Sequence, residues 1–169
     1  MIPRRIAAVL VGAVLLQLTL FAQFSYEGAR PEVIVLVVLA VGYLVGPDEG
    51  AIVGFAGGLA FDVHLTTPLG LTALVYLLAG FAIGRIVPGT TDGPWWLTSL
   101  VLAAGSAVTM VVYGFVGEIV GLDTLHGPAI GTIAVFVALV NLVFAPLAIR
   151  LVRWTRYGSR SRRRHSVYA

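Results

Sequence analysis

The chain has 169 residues, 59% of them hydrophobic and only 11% charged, with a net charge of +3 and a mean hydropathy of +0.97. That excludes an ordinary soluble domain, which needs far more polar surface to cover its core in water. There is no cysteine, so disulfides, thiolate metal sites and thiol chemistry are excluded as well.

Residues 1–5 form a short basic start, and residues 6–24 are an apolar run close to the length needed to cross a hydrocarbon core of ~30 Å as a helix. The leading arginines resemble a signal peptide. No small-x-small cleavage site follows, however, and further apolar segments do, so a retained first span is expected. Ala8 and Gly12 form a small-xxx-small pair suited to ordinary helix packing. Residues 25–32 are polar and end in Pro31-Glu32. Proline early in a helix gives up an N–H that has no partner there, and an acid beside it suits the positive end of the helix dipole. A helix is therefore expected to begin at this pair. Residues 33–46 are uninterrupted apolar sequence, short for a full crossing.

Residues 47–70 (PDEGAIVGFAGGLAFDVHLTTPLG) organise the chain. They open on a turn signal, Pro47-Asp48-Glu49-Gly50, that divides the apolar run. Gly50, Gly54, Gly58 and Asp62 then follow four apart, which puts all four on one helix face. Three glycines bare that face for close backbone approach, and a carboxylic acid ends it. Such an acid is costly in a bilayer unless paired or wet, which makes Asp62 the first functional candidate. A helix over 49–66 nearly spans, and a spanning hairpin of 33–46 and 49–66 is preferred over a re-entrant one.

Residues 69–87 are a clear span carrying Tyr76, Gly80 and Gly84 and closing on Arg85. After a turn-rich loop, Trp95 and Trp96 mark a membrane interface. The span they begin, 95–120, is long enough to tilt. The last span, 130–151, holds Asn141 and Pro146. Proline frees a carbonyl one turn back, and local satisfaction by the nearby amide is the plain expectation for Asn141. Residues 1–157 thus read as one all-α transmembrane domain, a compact bundle of about six helices, with a basic tail over 158–169. Every basic residue is an arginine, and six spans place all but Arg30 of the eleven on one face. The positive-inside rule makes that face cytoplasmic, with both termini on it. The arginine tail is expected to set topology and to attract anionic lipid.

Motifs for hydrolysis, phosphate binding and metal binding are missing, and His64, His126 and His165 are not spaced as a ligand set. No enzymatic activity, no cofactor and no nucleic-acid partner are expected. Ser106 reads as a serine bonded to its own helix backbone. Asp62 with His64 makes a poor proton relay, because their side chains leave a helix in different directions. Capping or pairing across the bundle, or partner docking, suits Asp62 better, so Asp62→Asn is expected to keep the fold and weaken assembly. Gly50, Gly54, Gly58, Asp62, Pro31, Glu32 and Asn141 are the candidates for helix packing or a partner interface.

In combination, Pro31-Glu32, the short apolar hairpin, Gly54-Phe55, Gly58-Leu59 with Asp62, Leu69-Gly70, Gly80, Gly84 and Arg85, and the final span with Asn141 and Pro146 resemble the MreD family of rod shape-determining proteins. The long arginine tail departs from the family's pattern. The resemblance implies an inner-membrane, non-catalytic scaffold of the bacterial cell-elongation and peptidoglycan-synthesis machinery. Its implied partners are a bitopic MreC-like protein, MreB, RodA and a class B penicillin-binding transpeptidase. It also implies a fold similar to the S components of energy-coupling-factor transporters. From that similarity comes the alternative, a vitamin-type substrate-binding membrane component.

Overall fold

The structure, a computed structural model, describes residues 4–19, 32–64, 68–87, 94–122 and 130–163, with 156–163 described by backbone alone. The described residues are all-helical: α1 (Arg4–Thr19), α2 (Val33–Leu44), α3 (Pro47–Asp62), α4 (Leu71–Ile86), α5 (Trp95–Ile119) and α6 (Ile130–Arg163). Pro31 lies outside them.

Helix α2, VIVLVVLAVGYL, has apolar residues on every side, and a helix of that kind is stable only where it is covered on every side. It forms the axis of the bundle. Residues 34–44 are all buried, and α1, α3, α4, α5 and α6 all pack on it. Its 12 residues make a rod of only ~18 Å, whereas the 25 residues of α5 reach ~38 Å. Helices α5 and α6 are the two long and apolar enough to cross a bilayer by themselves.

Several boundaries differ from expectation. The break after α2 is Val45-Gly46, with Gly46 at φ 153, and Pro47, Asp48 and Glu49 form the first turn of α3 rather than a turn before it. Proline at the first helical position and acids in the first turn are favourable there. Helix α3 ends at Asp62, short of residue 66, because Asp62 turns to another helix's backbone (below). Helix α6 does not stop at residue 151 but runs to Arg163, through Pro146 and into the basic tail. Arginine is a good helix former, and Gly158, the one poor helix former in that stretch, does not interrupt α6.

The closest packing in the bundle is α3 on α4. A Cβ added at Gly54 would sit 2.6 Å from the carbonyl carbon of Tyr76, and one at Gly58 would sit 2.5 Å from Cα of Ala73. At Gly50 it would meet Cα of Gly42 in α2 at 2.6 Å, and at Gly84 the carbonyl oxygen of Gly42 at 2.6 Å. Helices α2, α3 and α4 therefore meet backbone to backbone through Gly42, Gly50, Gly80 and Gly84. The glycine face read from the sequence is occupied by α4 of the same chain, so as a free flank for a partner helix it is withdrawn.

The helix ends fall into two sets. Arg5 stacks 4.7 Å over the Trp154 ring, Gly84 touches Pro47, and Trp95 lies in one notch with Arg150 and Arg153. At the opposite ends Gln17 meets Val33, and Asp62 meets the start of α4. The arginines whose side chains are described, Arg4, Arg5, Arg85, Arg150 and Arg153, all belong to the first set.

The glycine contacts generate a prediction with opposite signs. Gly54→Ala and Gly58→Ala push a methyl into backbone that cannot yield and should each destabilise by about 1–3 kcal/mol. Gly12 in α1 has open space where a Cβ would go, so Gly12→Ala should gain about 0.4–1 kcal/mol. Thermal unfolding of the three variants in detergent checks both signs.

Candidate functional site

Polar groups inside the bundle gather in two clusters, and Asp62, Glu32 and Asn141 fall into them. The first closes the α3–α4 pair. Asp62 is fully buried. Gly70, at φ 100, turns the chain so that its N–H donates to Asp62 Oδ2 at 2.8 Å. The N–H groups of Ala73 and Thr72 donate to Oδ2 at 3.2 Å and to Oδ1 at 3.3 Å. The first N–H groups of a helix have no partner within it, and the dipole there favours negative charge. Asp62 thus caps α4 from the end of α3, and a backbone donor is the partner among the roles open to it in the sequence. His64, just past the end of α3, is exposed, with Nδ1 3.1 Å from the carbonyl oxygen of Ala60, and no bond joins it to Asp62.

The second cluster ties helices that are distant in sequence. The Tyr76 hydroxyl of α4 donates to the Glu32 carboxylate at the start of α2. The Asn141 amide of α6 donates to the Glu32 carbonyl oxygen at 3.2 Å and to Ser106 Oγ of α5 at 2.8 Å. Ser106 passes its own hydroxyl hydrogen to the Leu102 carbonyl oxygen at 2.9 Å, the back-bond expected of it. From α1, Gln17 accepts the Val33 N–H at 2.9 Å. Ser106 and Asn141 sit near the middle of α5 and of the apolar part of α6, so Glu32 lies at mid-height of the two long helices. Buried polar groups at that depth must satisfy one another, since lipid offers no partner.

One expectation is met and one corrected. Helix α2 begins right after Glu32, which stands at its N-cap without a capping bond from its side chain; Gln17 takes the α2 N–H, which leaves Glu32 for Tyr76. Asn141 is not satisfied within its own helix. Its amide crosses to α2 and α5, because α6 packs against both and brings their acceptors within reach. Sequence reasoning missed Gln17, Gly42 and the pairing of Tyr76 with Glu32. A glutamine inside an apolar run was the available signal for the first; nothing local announces the other two.

Chemically the arrangement cross-links helices. Hydroxyl, amide and carboxylate are engaged with one another, and Asn141 Oδ1 and Thr72 Oγ1 are buried without a partner. Among the described residues no three His, Asp or Glu side chains converge to hold a metal ion. His126 and His165 lie outside those residues.

Both oxygens of Asp62 are used, so Asp62→Asn turns an amide NH2 toward a backbone N–H. It should lower stability by about 1–3 kcal/mol, measured by thermal unfolding, and not weaken assembly alone. A double-mutant cycle of Glu32→Ala and Tyr76→Phe should give a coupling of about 0.5–3 kcal/mol.

No curated protein and no solved structure matches the chain. One family profile does, that of rod shape-determining protein MreD, over residues 4–154. That range takes in the glycine contacts and both polar clusters, so the cross-linked core just described lies within the matched region. The chain belongs to the rod shape-determining protein MreD family.

Proposed function

We propose that this chain is a six-pass, non-enzymatic scaffold of the cell-elongation machinery, with both termini in the cytoplasm, that docks the single membrane helix of an MreC-like bitopic protein. The family brings a role in rod-shape determination and a place in the membrane. Supporting an even number of passes, with both termini on one side, is the way Arg4, Arg5, Arg85, Arg150 and Arg153 gather at one set of helix ends, the end that also holds the start of α1 and the end of α4. The rule that basic ends stay inside then orients the bundle. MreB, RodA and a class B penicillin-binding transpeptidase belong to the same proposal as further partners.

The observation that carries the docking reading is a groove between α4 and α5. These two neighbours in sequence pack loosely compared with α3 on α4 or α5 on α6. Between them lies a volume of about 490 Å³, floored by Leu39 of α2 and edged by Ala79, Ala82, Ala104 and Gly105. Small residues at an open apolar groove allow a guest helix to approach closely, which is how helices associate where water supplies no driving force. The rival, a vitamin-type binding component, calls for a cavity with several converging polar groups. Here Glu32, Tyr76, Ser106 and Asn141 bond to one another, and the groove presents one polar side chain, Thr109, itself bonded to the Gly105 carbonyl oxygen. That favours the scaffold.

Filling the groove tests it. Ala82→Leu with Ala104→Leu should cut co-purification of the MreC-like partner several-fold and leave the unfolding temperature unchanged, because both positions are at least partly exposed. Partner recovery at the level of the unaltered protein would remove the groove from the proposal. Depleting the protein should round the cells; a nutrient requirement in cells of normal shape would instead select the binding component.

A further inference from the structure

At the arginine end, the start of α5 and the last membrane-level turns of α6 leave a notch of about 550 Å³. Its lining is Trp95, Pro146, Ile149, Arg150, Arg153 and Trp154. On α6 these residues follow the three- and four-residue steps of one helix face, so they form a continuous strip. The strip changes character along its length: Pro146 and Ile149 are apolar, Arg150 and Arg153 are cationic, and the two tryptophans stand beside them. Trp154 is held by Arg5, which stacks on it at 4.7 Å.

Among the described residues no carboxylate pairs with Arg150 or Arg153, and Arg153 Nε is buried with no hydrogen-bond partner. A guanidinium that is part buried and has no carboxylate partner among the described residues suits an anion from outside, and planar guanidinium groups match phosphate oxygens with paired N–H donors. Tryptophan favours the depth of lipid headgroups, and the apolar floor continues toward the hydrocarbon.

We propose that this notch is a discrete binding site for the headgroup phosphate of one anionic phospholipid, with Arg150 and Arg153 on the phosphate and Pro146 and Ile149 against the glycerol and first acyl carbons. It rests on the membrane-spanning reading above and differs from diffuse attraction to the basic tail. The site is built from two helices of the bundle and from two of the chain's arginines, whereas Arg160, Arg162, Arg163 and Arg164 lie beyond it in sequence. The anionic lipid in the notch then ties the arginine end of α5 to α6 and fixes the height of the bundle in the inner leaflet.

The test uses the full chain in phosphatidylcholine nanodiscs containing a small fraction of brominated phosphatidylglycerol or, separately, brominated phosphatidylcholine. With Trp96→Phe in every protein compared, tryptophan quenching reports which lipid sits beside Trp95 and Trp154. The brominated phosphatidylglycerol should quench at roughly thirtyfold lower mole fraction than the zwitterionic lipid, on about one kcal/mol for each of the two arginines. Arg150→Gln with Arg153→Gln should abolish that preference, while Arg160→Gln, Arg162→Gln, Arg163→Gln and Arg164→Gln combined should leave most of it. Should the double variant not fold, the exposed Arg150→Gln alone must still lose several-fold of the preference. Equal quenching by the two lipids in the unaltered protein, or a preference that follows the tail arginines, overturns the proposal. Loss of the preference on adding inorganic phosphate at constant ionic strength would show a site for free phosphate and overturn the lipid assignment. Absence of quenching by either lipid would instead refute the membrane reading on which the site rests.

Discussion

The backbone of α3 lies directly on the backbone of α4, and much of the bundle follows from that. Side chains normally hold two helices about 8–10 Å apart. Where Gly50, Gly54 and Gly58 remove them, main chain meets main chain at Gly80, Tyr76 and Ala73. In lipid there is little hydrophobic gain from bringing helices together, so dispersion at such close range has to supply the attraction. The contact also brings the end of α3 within reach of the start of α4. Asp62 can then serve as a cap for a helix other than its own, and the turn at Gly70 aims the N–H groups at it. Packing and capping are thus one device, since a side chain anywhere along the glycine row would part the helices and carry the carboxylate away from its donors.

A second constraint acts across the bundle. Helix α2 is short, apolar on all sides and enclosed, and its start lies level with the middle of α5 and α6. A helix beginning at that depth exposes unsatisfied N–H groups and, here, an acid. Gln17 answers the Val33 N–H, Tyr76 the Glu32 carboxylate, and Asn141 the Glu32 carbonyl oxygen. These bonds come from α1, α4 and α6, and Ser106 joins α5 through Asn141. The apolar surface has no directional preference, so it is this polar set that specifies how the helices are rotated about α2. With the polar groups turned inward, the outer surface is left apolar, as on the α3 positions Ile52, Phe55 and Leu59. The features left for the proposed partners to recognise are the shape of the α4–α5 groove and the charge at the arginine end.

Composition and spacing alone established that the chain is helical, that lipid is its solvent, and that Gly50, Gly54, Gly58 and Asp62 share a face. These follow from short-range rules: apolar runs of given length, a period of 3.6 residues, and the small size of glycine. Asp62 as a bridging acid was legible for the same reason, since a lone carboxylate in an apolar row must find donors. What lies against the face was a different matter. A bare helix flank carries no information on whether its neighbour comes from the same chain or another, and only the tertiary structure put α4 there. The partners of Glu32 and Asn141, the part played by Gln17, the knot at Gly42 and the open seam between α4 and α5 were likewise decided by the fold. Each depends on residues brought together from far apart in the chain, and no local pattern encodes such a meeting.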